Sequence, residues 1–395
     1  MFELIQAAPP DPILGLGEAF RNDPRTDKIN LSVGVFQDDD GRTPMLACVK
    51  EAERRLLERE TNKNYLGIDG HVEFRRRTAE LLLGVDSAAI AQSRVATVQS
   101  PGGTGALRIA ADLIGRQFPG ATVWISQPTW PNHPQIFQAA GLLTASHPYL
   151  DAAGTGLDLD AMLRTLETAR PGDALLLHAS CHNPSGIDPD ATQWERISNF
   201  VRERGLLPIL DCAYQGFGRG LDEDVVGVRR LAESGETLIC SSCSKNFGLY
   251  GERVGALTIV ASDADAAKAT GSQAKACVRA NYSNPPIHGA AVVAEILGDA
   301  TLTAQWHDEL AAMRRRIHAM RQAFVAAMAA RVPNRDFSFI ADQLGMFSFS
   351  GLTPMQVDRL KSEYGIYIVG SGRINVAGIT RGNLDRLCDA IATVL

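Results

Sequence analysis

Four short stretches concentrate the residues of this chain that can do chemistry. They are Gly102-Gly-Thr-Gly105, His182-Asn-Pro-Ser-Gly186, Asp211-Cys-Ala-Tyr214 and Ser242-Cys-Ser-Lys-Asn-Phe-Gly248. Each closely follows an apolar run, and in an open parallel sheet ligands bind just beyond the carboxyl ends of the strands. Lys245 is the most informative of them. Taken alone it is an ordinary exposed lysine at a strand end. Among such neighbours it is also an amine whose surroundings can lower its basicity, and the characteristic use of such an amine is Schiff-base formation with an aldehyde.

Asp211 ends the run Leu206–Leu210, where a carboxylate is expected to be half buried at the sheet edge. It can cap the next segment or pair with a cationic ring nitrogen. Tyr214, three residues on, can hydrogen-bond an oxygen of the same ring. The glycine turn at 102–105 separates strand-like Val95–Gln99 from helix-like Ala106–Gln117, and backbone N–H groups at such a helix start attract phosphate. A dinucleotide site is disfavoured: counting from Gly103, the third glycine of Gly-x-Gly-x-x-Gly is replaced by Arg108, and the strand at 121–126 ends without an acidic residue for ribose.

The elements that must position these groups are legible as periodicity. The runs Val123–Ser126, Ala174–Ala179, Leu206–Leu210, Leu238–Ser241 and Ala256–Val260 alternate with helix-like segments. Their spacing matches successive βαβ units, so a large α/β domain with a mostly parallel sheet, covered by helices on both faces, is expected. Leu310, Met313, Ile317, Met320, Phe324 and Met328 recur at steps of three and four and predict a long amphipathic helix leading out of it. Beyond it, Met346–Ser350, Ile366–Val369 and Ile374–Val376 read as strands and Leu384–Val394 as a closing helix, giving a smaller α/β domain.

Composition bounds the rest. A 395-residue chain that is 45% hydrophobic and 21% charged is long enough for two or three domains and ordinary for a folded globular protein. A net charge of −6 argues against a nucleic-acid partner. The arginine runs Arg75–Arg77 and Arg314–Arg316 read as solvated helix faces. No stretch approaches a membrane span and no leader is signalled, and seven thinly spread cysteines fit reduced thiols, so a cytoplasmic location is expected. Cys240-Ser-Ser-Cys243 lacks a second pair and reads as core. His178 and His182 lie on a strand leading into a turn rather than on one helix face, and no metal is assigned. His133, close behind Trp130, either supports a ring from behind or merely starts a helix.

At these residues the chain resembles the class I aspartate and aromatic aminotransferases, enzymes of fold type I that use pyridoxal 5′-phosphate (PLP). The strings that carry the resemblance are Asn64-Tyr-Leu-Gly-Ile-Asp-Gly70, Pro101-Gly-Gly-Thr-Gly-Ala106, Ala213-Tyr-Gln-Gly-Phe217, Ser244-Lys-Asn-Phe-Gly-Leu-Tyr250 and Asn281-Tyr-Ser-Asn-Pro-Pro286, and it extends from Asp11–Gly15 to Ser371–Gly378. It implies a large domain with a mostly parallel seven-stranded sheet (residues 44–312), a small domain (13–43 with 313–395) and an N-terminal arm (1–12).

The resemblance also implies roles. Lys245 would hold PLP as a Schiff base and shuttle a proton during catalysis, with Asp211 on the pyridinium nitrogen and Asn183 and Tyr214 on the phenolic oxygen. Trp130 would stack on the ring. Gly103, Thr104, Ser242, Ser244 and Arg253 would cradle the phosphate, joined by Tyr65 of a second subunit in a homodimer with shared sites. Arg373 would clamp the substrate's α-carboxylate beside Gly34, Trp130 and Asn183, and Arg279 would reach across the dimer to a side-chain carboxylate. Amino acids and 2-oxo acids are the implied substrates, and aspartate with 2-oxoglutarate the implied pair. An aromatic or broad-specificity enzyme is the alternative. Ser185 stands where the family usually has threonine. Gln37 replaces a lysine common in the aspartate branch, while Val35, Thr43, Asn64, Thr104 and Asn284 keep that branch's choices. A sensor that keeps the fold without activity, and a PLP lyase or decarboxylase, are weighed and set lower.

Overall fold

The computed structural model describes residues 1–7 and 14–395, apart from the Leu14 side chain. Much of the expected arm, residues 8–12, therefore lies outside the described residues, as does most of the Asp11–Gly15 string. The chain divides into two compact units: residues 45–183 with 187–315, and residues 1–44 with 184–186 and 316–395.

The larger unit is built on a seven-stranded sheet. Its strands lie in the order Val95–Pro101, Val254–Val260, Thr237–Ser242, Leu207–Cys212, Ala174–His178, Thr122–Gln127 and Leu143–Pro148. All pairings are parallel except those of Val254–Val260, which runs antiparallel to both neighbours. Near-continuous apolar runs suit strands covered on both faces. Successive side chains then enter opposite cores: Ile209, Leu176 and Leu238 pack with the helix Gly102–Gln117, and Leu210, Leu175 and Ile239 pack with Trp194, Val201 and Leu231.

Both strand ends and helix starts differ in detail from expectation. The glycines at 102–105 are not a turn ahead of the helix; they form its first turn. The strand Leu143–Pro148 had no counterpart among the expected runs, because its sequence, Leu-Thr-Ala-Ser-His-Pro, mixes polar residues into an edge position.

The smaller unit holds two short strand pairs. Ile29–Asn30 runs parallel to Ile366–Tyr367, and Arg373–Asn375 runs antiparallel to Phe347–Phe349. Helices Pro354–Tyr364 and Arg381–Val394 each begin with a capping box, Thr353 with Gln356 and Thr380 with Asn383. The helix Ala300–Arg331 contains the boundary between the units. Arg321, on its second half, is buried and donates to the carbonyls of Ile340, Leu344, Gly345 and Phe347 and to the Ser348 hydroxyl, which fixes the backbone of 340–348.

Arg316 corrects the reading of its run as a solvated face. It donates to the Asp39 carboxylate and to the carbonyls of Asp38 and Ile379. Arg75 and Arg76 do pair along the surface, with Asp69, Glu73 and Glu80. All seven cysteines are buried free thiols, Cys240 and Cys243 among them, and burial pushes the Cys243 thiol up to about 12. Among the described residues no helix is long and apolar enough to cross a membrane.

Candidate active site

In the larger unit, the chemistry-bearing residues gather at the carboxyl ends of the parallel strands. Asp211 stands at the end of Leu207–Cys212, His178 at the end of Ala174–His178, and Ser242 at the end of Thr237–Ser242. Asp211 is not half buried at a sheet edge. It is 5% exposed, on the central strand of the seven. Being two residues from Ile209, it faces the same side as the helix Gly102–Gln117.

One oxygen of Asp211 is engaged by His133, with Nε2 to Oδ2 at 3.0 Å, and His133 Nδ1 lies 2.8 Å from the Thr129 hydroxyl. His133 therefore backs Asp211. The other oxygen, Oδ1, is buried with no hydrogen-bond partner. Burial alone would raise this carboxyl, but the His133 hydrogen bond and the charges around it, that of Lys245 included, hold it below the ordinary range. A buried anion with one vacant acceptor requires a donor, preferably a cationic one.

His178 is the residue here that sequence reasoning set aside. Its ring centroid lies 5.1 Å from that of His133, and ligand atoms of His133, His178 and Asp211 fall within 4.8 Å of one another. Burial, the main cause, pushes His178 down to about 3, so it presents a neutral ring beside the carboxylate. The signal in the sequence was His178 at a strand end one strand away from Asp211, since the two are cross-strand partners.

The lysine turn is fixed from behind. Trp306 donates from Nε1 to the Asn246 carbonyl at 2.8 Å and stacks on Phe247 with centroids 4.4 Å apart. Lys245 is half buried, its Nζ 4.7 Å from the centroid of the Tyr214 ring. Tyr214 and Asn183 are both buried, with Asn183 Nδ2 3.5 Å from the Tyr214 hydroxyl. The two polar tips thus converge on one point beside the lysine. Trp130 meets His133 edge-on at 5.2 Å.

A second cluster surrounds the start of the helix Gly102–Gln117. Arg253 donates to the Ser244 hydroxyl at 3.3 Å, and Ser242 to Ser244 at 3.1 Å. Arg253 has φ +54°, a left-handed conformation that costs a non-glycine residue on the order of 1–3 kcal/mol. A Cβ on Gly102 would fall 2.5 Å from the Arg253 guanidinium, and one on Gly103 would fall 3.1 Å from the Ser242 side chain. The φ of +74° at Gly102 favours glycine there. Helix-start N–H groups, with Thr104 at the third helical position, two linked hydroxyls and one guanidinium make up a donor set suited to a phosphate dianion.

PLP fits what these residues present. Its pyridinium N–H would supply the donor that Asp211 Oδ1 lacks, its phosphate would suit the helix start and Arg253, and its aldehyde would suit Lys245.

Two of the expected residues lie elsewhere in the larger unit. Arg279 lies in the last turn of the helix Ala264–Asn281, is exposed, and donates to the Ser283 hydroxyl. Tyr65 is 94% exposed. Asn284 ties this region to the Leu66 carbonyl at 2.8 Å. In the smaller unit, Arg373 is 3% exposed, lies with its guanidinium 4.3 Å from the Phe347 ring centroid and donates to the Ser32 carbonyl. Asn375 bonds the carbonyls of Val33 and Val35, both at 2.8 Å, and so holds Gly34; a Cβ there would strike the Phe347 ring at 2.6 Å.

A seven-stranded, mostly parallel sheet that gathers a lysine, a buried carboxylate with a vacant oxygen and a glycine-rich helix start suits the class of PLP-dependent enzymes of fold type I. Residues 26–391 match the family model described as aminotransferase class I and II, and the chain belongs to that family. It is an aminotransferase.

The chain is 55% identical to an aspartate aminotransferase of Salmonella typhi and 50% identical to an aromatic-amino-acid aminotransferase of Pseudomonas aeruginosa. All of this chain is covered in both, with 100% and 98% of those relatives. It also superposes with a TM-score of 0.97 on an aromatic-amino-acid aminotransferase of Burkholderia pseudomallei covalently bound to pyridoxal phosphate. That structure is 48% identical, with 100% of this chain and 99% of the other covered.

Proposed function

We propose that this enzyme is an aspartate aminotransferase, moving the amino group of L-aspartate to 2-oxoglutarate by a reversible ping-pong reaction that yields oxaloacetate and L-glutamate. The observation that carries the cofactor assignment is the vacant buried oxygen of Asp211 beside Lys245. The observation that carries the dicarboxylate assignment is the provision of two arginines, Arg373 and Arg279, of which only one is needed for an α-carboxylate.

PLP, when bound, supplies the electron sink that stabilises a carbanion at the substrate's α-carbon. The chain's own residues do the rest. Lys245 would hold the cofactor through Nζ, and the same amine would move the proton to and from the substrate's α-carbon. Asp211, backed by His133, keeps the ring nitrogen protonated. Asn183 and Tyr214 donate to the phenolic oxygen, and Trp130 covers a ring face and excludes water. Gly103, Thr104, Ser242, Ser244 and Arg253 hold the phosphate. Arg373, steadied by Phe347, fixes the α-carboxylate with a bidentate fork beside Gly34.

The larger unit is thus the cofactor domain, and the smaller one carries the α-carboxylate clamp. A homodimer with shared sites accounts for the exposure of Tyr65, which reaches the partner's phosphate, and of Arg279, which reaches the partner's substrate. Exposed Phe2, Leu4 and Ile5 suit an arm lying on the second subunit. A cytoplasmic location accords with seven free thiols. The exposure of Arg279 also favours a second reading, broad specificity, in which the arginine turns aside for an aromatic side chain.

The visible spectrum of the purified protein tests this reading. Aspartate without a keto acid should bleach the cofactor band, and Lys245→Ala should abolish the response. Stronger bleaching by tyrosine would install the aromatic reading, and the absence of any band with added PLP would refute both.

A further inference from the structure

Asn183 follows a turn that the backbone does not adopt readily. Cys181 has φ +54°, the left-handed region, with a side chain other than that of glycine. Such a residue persists only where its surroundings over-determine it. Here the cause is a carboxylate that the reaction does not use. Asp188 accepts from the Cys181 N–H at 2.6 Å through Oδ2 and from the His182 N–H at 2.8 Å through Oδ1. Two successive backbone donors thus converge on one side chain, as they do around a bound anion.

A second tether closes the same loop. Tyr149 donates its hydroxyl to the Ile187 carbonyl at 2.7 Å and stacks on the His182 ring with centroids 3.9 Å apart. The loop is held at both sides of Asn183, and its fixed end is the residue whose amide meets the Tyr214 hydroxyl.

We propose that Asp188 is a positioning residue for the reaction: by holding the 181 and 182 N–H groups it aims the Asn183 amide at the cofactor's phenolic oxygen. The proposal rests on the reading that Asn183 and Tyr214 serve that oxygen. It needs no contact between Asp188 and cofactor or substrate. The arrangement is costly, since desolvation pushes the Asp188 carboxyl up to about 6 in spite of both backbone donors, which a carboxylate kept for solubility alone would not tolerate.

A donor aimed at an oxygen favours its deprotonated form, so loss of that donor raises the pH at which the proton leaves. The measurement is the pH midpoint of the visible absorption change of the PLP-loaded protein, without substrate, in wild type, Asn183→Ala, Asp188→Ala, Asp188→Asn and the double variants. Asn183→Ala should raise the midpoint. Asp188→Ala should raise it by ~0.5–1 pH unit, the scale of one hydrogen bond. Asp188→Asn, which keeps one acceptor oxygen, should fall between, and it carries the test if the alanine variant does not fold.

In the Asn183→Ala background neither Asp188 change should move the midpoint further. A shift of equal size in that background would show a general disturbance and overturn the proposal, as would no shift in either Asp188 variant while Asn183→Ala shifts. If Asn183→Ala itself leaves the midpoint unmoved, the reading of Asn183 fails and the proposal falls with it.

Discussion

The two arginines assigned to the substrate are built in opposite ways. Arg373 sits on a strand, is nearly inaccessible, and has its guanidinium laid over Phe347 and bonded to a backbone carbonyl. Arg279 sits at the last turn of a helix, exposed, with a serine hydroxyl from the same segment as its recorded partner. On the proposed assignment, the contrast suits the chemistry of the ligands. Every amino acid carries an α-carboxylate in the same place, so a fixed and desolvated fork serves all of them and loses little entropy on binding. Side chains differ, and an exposed cation can serve one class without barring another.

That contrast can be broken most severely at Arg373. Replacing it by leucine should lower kcat/KM for aspartate and for tyrosine alike, on the order of a thousandfold, because a buried charge pair is truncated. Steady-state kinetics with both substrates would decide it, and a loss confined to one substrate would invert the comparison. Arg279→Leu should act on the ratio: aspartate falls on the order of a hundredfold and tyrosine by less than about threefold. Phe347→Leu removes the face under Arg373, worth about 0.5–2 kcal/mol, and should raise KM for both substrates by roughly tenfold with a smaller change in kcat. Smallest of all is Ser283→Gly. Ser283 has φ +68°, so glycine should raise thermal stability by no more than about 1 kcal/mol while aspartate turnover stays within about twofold.

The fixed half of the site was the more legible in the sequence, and for a physical reason. Strands such as Ala174–His178 and Thr237–Ser242 are marked by continuous apolar runs, and the polar residue that ends each run falls at the ligand-binding edge. Depth was not legible. Asp211 reads as half exposed from its neighbours, because its burial is imposed by strands distant in sequence. Arg316 reads as part of a charged helix face, yet its partners are two carbonyls and a carboxylate from loops far along the chain. The helix Pro354–Tyr364 did carry a local signal, Thr353-Pro-Met-Gln356, which the strand-based reading of that region passed over. The roles of Asp188 and Phe347 carried none, since each acts through the backbone or ring it holds.

The buried imidazoles of the larger unit also make unfolding a proton-consuming event below about pH 6.5. Burial is the main cause that depresses His147 to about 4, His178 to about 3 and His182 well below its ordinary 6.5. Each is neutral in the fold and basic once released. Their contribution to stability is therefore complete above about pH 6.5 and is lost as the pH falls from there towards the folded values, by up to about 4 kcal/mol per pH unit for three protons. Asp188, raised from 3.8 to about 6, works in the opposite sense between those two values and offsets one proton of the three. Calorimetry between pH 8 and 5 should show the melting temperature falling below pH 6.5, less steeply in His147→Asn. A cell compartment that acidified would meet an enzyme whose hidden bases pull it apart.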